Sequence, residues 1–571
     1  MGSYLSAPQT SPKASRVDHL TRELVERVAL FLPDATSFFN ILQAVAVHNP
    51  TALGNLKPIF ELGRSVPLHE LWPALCIHTN NADIILPQLS SLLCSFCSVL
   101  AFSESLAHPQ YDTLVQSVAT QLQPTTDIHI LDSTFVWWPS TWNMHITRLH
   151  VNGYSQHDHS DIIQALPTMA KLTRVCLVDC FQRSPDLIEG FFDCLPQSKI
   201  TSLDVITTCE PVIVTRSMLR HASKWLESHR VLHFGFGQWD FRVQNDCLHP
   251  FFKALATVHD VRIDEFTLSR FIQFGYGTDV ECLHLNIYNT LGINVDELVS
   301  TCYRHLTALT LQDRNKTMFY RETTWNQALH AVVVHARRLT TLELVEMFLG
   351  DADMELFAAA LTTSNIQTLI FRGCVGGLAK PKPVVAFDQL GRCLPQCKSL
   401  RRLEINCRMM DPAHMESFGL GLANSPVTAF VATKITRTFL TTMAPFLGRS
   451  KLQELTLGQR DENVMTFWSS FTLFGHLLAN PHLTKLTLRQ IGLRNSDAYF
   501  LGRSIATHTN LRFLDLARNP LSRDTVASLI QILESRPDPA CELNVTGNDE
   551  RELLPCAAQG IHCVAAFGKK Y

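Results

Sequence analysis

The chain has no run of five or more like charges. Its basic residues fall in short groups such as Arg337-Arg338 and Arg401-Arg402, and 49 Lys plus Arg set against 52 Asp plus Glu leave a formal net charge of −3. A nucleic-acid binder needs a basic stripe to neutralise phosphates, so no nucleic-acid partner is expected. Catalytic signatures are missing too. There is no P-loop, no G-x-G-x-x-G, no G-x-S-x-G and no H-E-x-x-H. Phe274-Gly275-Tyr276-Gly277 reads as a turn. Cys94 and Cys97 have redox spacing without the strand context that chemistry needs. His157, Asp158, His159 and Asp161 share a polar loop with no second ligand group nearby to close a metal shell. The expectation is a protein that is not an enzyme and carries no cofactor or metal.

A charged-then-apolar leader is lacking as well. The 17 cysteines are odd in number, and several (Cys176, Cys180, Cys374, Cys407) stand where a small buried apolar residue would fit. This pattern suits a reducing compartment, the cytoplasm or alternatively the nucleus. Gly2 with Ser6 fits the loose N-myristoylation pattern, which is short enough to arise by chance. Ile84 to Ser103 is uncharged and long enough to span a bilayer, but it contains Pro87, Gln88 and five serines. Leu86, Leu89, Leu93, Phe96 and Leu100 in it follow helical spacing, so a buried amphipathic helix is expected and no stable membrane insertion.

What is present is a repeat. Leu511, Leu514, Leu516, Asn519 and Leu521 occupy every fixed position of L-x-x-L-x-L-x-x-N-x-L. The core recurs upstream, for example at Leu483/Leu486/Leu488, Leu400/Leu403/Ile405, Leu339/Leu342/Leu344, Leu306/Leu309/Leu311 and Ile146/Leu149/Val151, with degenerate copies at Val231/Phe234/Phe236, Val427/Phe430/Ala432 and Ala540/Leu543/Val545. Fifteen copies follow one another at spacings of 22 to 34 residues. Alternate residues of a strand face one side, so Leu514 and Leu516 point inward while Phe513, Asp515 and Ala517 point outward. Asn519 is expected to turn inward and bond the backbone of neighbouring turns, with Asn548 as its counterpart. Helical spacing fills the gaps between copies, as at Val526, Leu529, Ile530 and Leu533. A single unit cannot bury its own apolar stripe; stacking does so.

This pattern resembles the ribonuclease-inhibitor type of leucine-rich repeat. The resemblance implies an α/β, right-handed solenoid, a horseshoe with parallel strands on the concave face and helices on the convex one. The expected organisation is a disordered 1–16, an all-α region over 17–122 and a solenoid of about fifteen repeats over 123–571. The aromatic cluster Phe135 to Trp138 with Trp142 is expected to cap the end of the solenoid. The helical region begins with Leu20, Glu23, Leu24, Val28 and Leu32, which resembles an F-box; Thr21 stands where the motif has proline, and the motif's usual ending is missing after Val45. The resemblance implies a Skp-type adaptor of a cullin–RING ubiquitin ligase as partner there, with the repeats selecting substrates.

Register also gives the candidate docking residues of the concave face. Arg148, Arg174, Arg262, Arg372, Arg402, Lys485 and Arg489 are basic; Asp204, Asp264, Glu343, Glu404, Glu454 and Asp515 are acidic, as are Asp260 and Glu542. Interspersed signs suit a protein partner. Insertions at Gln312–Arg321, Gly373–Pro383 and Gln459–Phe467 are expected to project from one edge. The functional expectation is a protein-binding scaffold, monomeric by itself, such as a substrate receptor. The alternative is a solenoid regulator of an enzyme or GTPase, which the missing acidic bias and acidic tail disfavour.

Overall fold

A computed structural model describes residues 22–545 apart from several connecting segments, the longest being 93–98, 104–121, 134–139, 154–159, 268–279, 288–304, 314–324, 373–386 and 459–470, together with the strand Ile561–Val564. Outside the described residues lie Gly2, Ser6, Leu20, Cys94, Cys97, Phe135 to Trp138, His157 to His159, Cys374, Cys407, Asn548 and almost all of the three insertions.

The strands in chain order are β1 (Leu75–Ile77), β2 (Val99–Ser103), β3 (Asp127–Ser133), β4 (Ile146–Asn152), β5 (Arg174–Val178), β6 (Ser202–Ile206), β7 (Val212–Ile213), β8 (His233–Gly237), β9 (Trp239–Asp240), β10 (Asp260–Asp264) and β11 (Cys282–Ile287). They continue with β12 (Ala308–Asp313), β13 (Thr341–Val345), β14 (Thr368–Arg372), β15 (Arg402–Asn406), β16 (Ala429–Thr433), β17 (Glu454–Gly458), β18 (Lys485–Arg489), β19 (Phe513–Asp515), β20 (Cys541–Asn544) and β21 (Ile561–Val564). Nineteen of these form one parallel sheet in which each strand pairs with its predecessor and successor, while β7 and β9 pair separately. Between most successive strands the chain forms a helix, such as Asp351–Thr363 or Arg523–Glu534.

Register explains why the turns stack. Leu283, Leu309, Leu342, Leu369, Leu403, Phe430, Leu455, Leu486, Leu514 and Leu543 are partners in succession across ten strands. All ten are buried, forming a continuous apolar column behind the sheet. Helices pack 8–10 Å apart but strands only about 4.8 Å, a difference that favours a curved stack with the sheet on its inner side. Asn519 closes one turn onto the next as expected. Its amide donates to the carbonyls of Leu488 (2.7 Å) and Leu516 (2.8 Å), and its oxygen accepts from the N–H groups of Ile491 and Leu493 (both 3.1 Å).

The repeat consensus does not reveal one recurrent feature. Asp179, Gln238, Glu346, Lys434 and Gln490 each follow a strand directly and have positive φ, as does Arg518 just beyond β19. A left-handed residue turns the chain from the sheet towards the helices, and here non-glycine side chains accept that strain.

The expectation of an all-α region over 17–122 is corrected by β1 and β2, which pair with each other and then with β3. The sheet therefore begins near residue 75, not at 123. Ile84 to Ser103 is not one helix either: it contains the end of the helix Ala82–Ile85, the 3-10 turn Leu86–Gln88 and β2, where Leu100 is fully buried. The spacing of Leu86, Leu89, Leu93, Phe96 and Leu100 fits a helical period, but partner strands on both sides of β2 decided the outcome. Trp142 is not a terminal cap. It is buried between turns, stacked on Phe102 at 4.7 Å, with three strands ahead of it.

The amino-terminal end is covered instead by α1 (Arg22–Leu30), α2 (Ala35–His48) and the short helices after them. Val25 and Ala29 bury against a cluster that includes Phe38, Leu42 and Val45. Phe38 stacks on Trp72 at 4.2 Å, and the Trp72 indole donates to the Leu32 carbonyl at 2.7 Å. The helix Leu68–Leu71 touches β1 and α2 touches β21, so this helical segment meets both edge strands. Covering the edges removes templates for unwanted strand pairing. Among the described residues no helix is long and apolar enough to cross a membrane. Cys76, Cys180, Cys194, Cys247, Cys282, Cys393 and Cys397 are free thiols, and burial pushes the Cys180 thiol up to about 12.

Candidate protein-interaction face

Each strand of the sheet offers its alternate residues on the side opposite the helices. Register lines these residues up in two rows, one running through Arg148, Arg174, Ser202, His233, Asp260 and Cys282 and the other through His150, Cys176, Asp204, Gly235, Arg262 and His284. The same rows continue to Arg402 with Glu404 and to Lys485 with Thr487.

Most charges in these rows are neutralised on the spot. Arg372 lies 2.9 Å from Glu343 and 3.7 Å from Glu404, Arg402 lies 3.8 Å from Glu404, and the Thr310 hydroxyl donates to Glu343 at 3.3 Å. Lys485 lies 4.0 Å from Glu454 and sits over the Phe513 ring. Arg489 and Arg262 are respectively exposed and half-buried.

The tightest cluster was not visible in the sequence pattern. His233 sits between two carboxylates, with Nε2 3.0 Å from Asp204 and Nδ1 2.9 Å from Asp260; His284 approaches Asp260 at 3.4 Å. Burial alone would drive the His233 proton off. The contacts with Asp204 and Asp260 outweigh it and raise the pKa to about 9. Burial likewise works against the Asp260 carboxylate, but His233 and His284 hold it well below the usual range. Gly235 makes room: a Cβ there would collide with the Asp204 carboxylate. His233 belongs to a degenerate copy, Val231/Phe234/Phe236, and its place one residue before Phe234 is the signal that marks it.

Two expected docking residues share the register of this face but are buried. Asp264 is 1% exposed and accepts from the N–H groups of Gln238 and Thr267, both at 2.8 Å. Its burial raises its pKa. Asp515 is 7% exposed and accepts from Ala517 N–H at 2.8 Å. Both carboxylates close backbone turns, a demand that alternation alone does not register.

At the amino-terminal helices, Leu24 is 47% and Val28 42% exposed, one turn apart on α1, and Glu23 is exposed beside them. Leu32 is half-buried, so it contributes to packing more than to the surface. Phe31 at 87%, one turn beyond Val28, extends the apolar patch and was not expected; Val47 on α2 is also exposed, at 65%.

No family model and no curated protein matches the chain. Solved structures do. A yeast Rad7–Elc1 complex matches with TM-score 0.35 and 15% identity over 72% of this chain and 88% of that one. The leucine-rich-repeat protein LegL7 of Legionella pneumophila matches with TM-score 0.31 and 15% identity over 50% and 83%. A Bacteroides fragilis protein matches with TM-score 0.31 and 13% identity over 47% and 74%. The fold is a leucine-rich-repeat solenoid. At TM-scores of 0.31 to 0.35 the likeness carries no argument; the fold stands on the stacked parallel strands and their buried leucine column, and what the face binds has to be argued from its own chemistry.

Proposed function

We propose that this chain is a non-catalytic interaction scaffold, a substrate receptor whose helical start engages a Skp-type adaptor of a cullin–RING ubiquitin ligase and whose inner face selects a protein partner. The observation that carries the adaptor half is the solvent-facing apolar stripe of α1. Leu24, Val28 and Phe31 recur at helical spacing on the side away from Val25 and Ala29, and an amphipathic segment gains little by exposing a phenylalanine at 87%. The partner half is supported by the mixed-sign inner face, whose ion pairs hold side chains in fixed positions and favour complementarity over bulk attraction. A purified adaptor of this type is expected to co-elute with the full chain, and Leu24→Asp/Phe31→Asp is expected to abolish co-elution while circular dichroism stays unchanged. Failure of the unaltered chain to bind any such adaptor removes the ligase reading and leaves the scaffold.

A further inference from the structure

Arg148 on β4 and Arg174 on β5 are register partners, and His129 on β3 partners Arg148 in turn. Adjacent parallel strands place such residues about 4.8 Å apart. Both arginines are exposed. Farther along the same face Arg372, Arg402, Lys485 and His233 each have a carboxylate within 4.0 Å. Among the described residues Arg148 and Arg174 have none. Two acidic side chains described on the adjoining strands are already engaged, Asp127 by Lys171 at 3.2 Å and Asp204 by His233 at 3.0 Å. Like charges directly opposite on neighbouring strands are unfavourable to folding, so the pair brings the fold no internal benefit.

The field of this pair is felt beside it. Burial first, then the charge of Arg148, drive the proton off His129 and lower its pKa to about 4; Asp127 opposes them, and Arg174 adds a smaller push in the same direction as Arg148. Among the described residues Arg262 and Arg489 also have no carboxylate within 4.0 Å, but their register partners are Gly235 and His284, and Gly458, whereas Arg148 and Arg174 stand side by side.

We propose that Arg148 and Arg174 form the seat for an acidic segment of the protein partner, each guanidinium taking one carboxylate of neighbouring Asp or Glu residues. The inference rests on the reading of the inner face as a protein-binding surface and adds the chemistry of what is bound and where. Guanidiniums receive carboxylates in two parallel hydrogen bonds, which gives orientation as well as attraction. Neighbouring acidic side chains on an extended peptide can reach guanidiniums on adjacent strands, and the peptide would run across the strands towards Ser202 and the His233 cluster.

The test titrates fluorescein-labelled hexaglutamate against the full chain by fluorescence anisotropy. Arg148→Glu/Arg174→Glu is expected to weaken binding by about tenfold or more, and higher salt should weaken it in the unaltered protein. The control Arg220→Glu/Lys224→Glu makes the same change in net charge on exposed positions of the helix Arg216–Ser228 and is expected to alter binding less than about twofold. Arg148→Gln/Arg174→Gln removes the charge without reversing it, and keeps the test decisive should the reversal not fold. The proposal is overturned by absence of hexaglutamate binding, by equal weakening in the control, or by a phosphoserine hexapeptide binding through the same arginines about tenfold more tightly, which would make the seat one for a phosphoryl group. None of these outcomes touches adaptor co-elution, so the two readings stand or fall separately.

Discussion

The turns around Asn519 and those around Asp264 solve the same problem with different chemistry. Near the carboxyl-terminal end, leucines fill the inward positions (Leu486, Leu488, Leu514, Leu516) and a neutral amide ties four backbone groups of adjoining turns. Around β8 and β10 the inward positions hold Phe234 and Phe236, packed with Trp225, Trp239 and Phe251, and the tie is a buried carboxylate that only accepts. The shared backbone geometry requires filled volume and satisfied N–H groups. It does not require leucine or asparagine.

The aromatic region should be the more sensitive to a large deletion. Phe234→Ala is expected to cost about 3–5 kcal/mol, because Trp225, Phe236, Trp239 and Phe251 around it cannot all collapse into the void. Denaturant unfolding followed by tryptophan fluorescence measures it; a cost under about 1 kcal/mol would show that this region is loosely packed.

A crossed exchange separates the two ties. Asn519→Asp should cost about 2–4 kcal/mol, since a carboxylate cannot donate to the Leu488 and Leu516 carbonyls and faces them with its charge. Asp264→Asn should cost less, about 1–2 kcal/mol, because its amide oxygen keeps one of the two N–H donors while its –NH2 faces the other, and no charge is set against a carbonyl. Equal costs in calorimetry would erase the distinction.

The His233 cluster adds a pH dependence on the alkaline side, whereas the shifted groups of the leucine-filled turns, His508 lowered and Asp497 and Asp515 raised, act on the acid side. Its folded pKa is raised from the ordinary 6.5 to about 9, so the stabilisation is fully present below pH 6.5 and is lost as pH rises through about 9. The loss should be on the order of 2 kcal/mol, and His233→Gln should flatten the melting profile between pH 6.5 and 9. An unchanged slope in that variant would assign the dependence elsewhere.

The smallest effect concerns the left-handed residue after each strand. Lys434→Gly should stabilise by about 0.5–1 kcal/mol, because glycine accepts positive φ without a Cβ penalty. A destabilised variant, read by thermal melting, would mean that the lysine side chain contributes packing that outweighs the strain.

How far the chain could be read depended on how many residues carry each feature. Strands β4 to β20 of the large sheet were legible because two or three apolar residues at fixed spacing mark each one, even where Phe234 or Phe430 replaces leucine. β1 and β2 were missed because Leu75–Ile77 is only three residues long and Leu100 also fits a helical period. Of the inner-face residues, Glu343, Arg372, Arg402 and Glu404 were placed by alternation. Asp264 and Asp515 obey the same alternation, but as the last residues of their strands they are buried by bonds to turn N–H groups, which the rule does not register. His233 and His129 gained their importance only from residues on other strands.

Leucine spacing alone determined a stack of parallel strands with helices behind, since no single turn can bury its apolar side without a neighbour. Tertiary structure alone decided where the stack starts, which carboxylates point inward to close turns, and which charges find a partner. Those outcomes depend on distances between residues some thirty positions apart, as between Asp204 and His233, where proximity comes from stacking and local pattern carries no information about it.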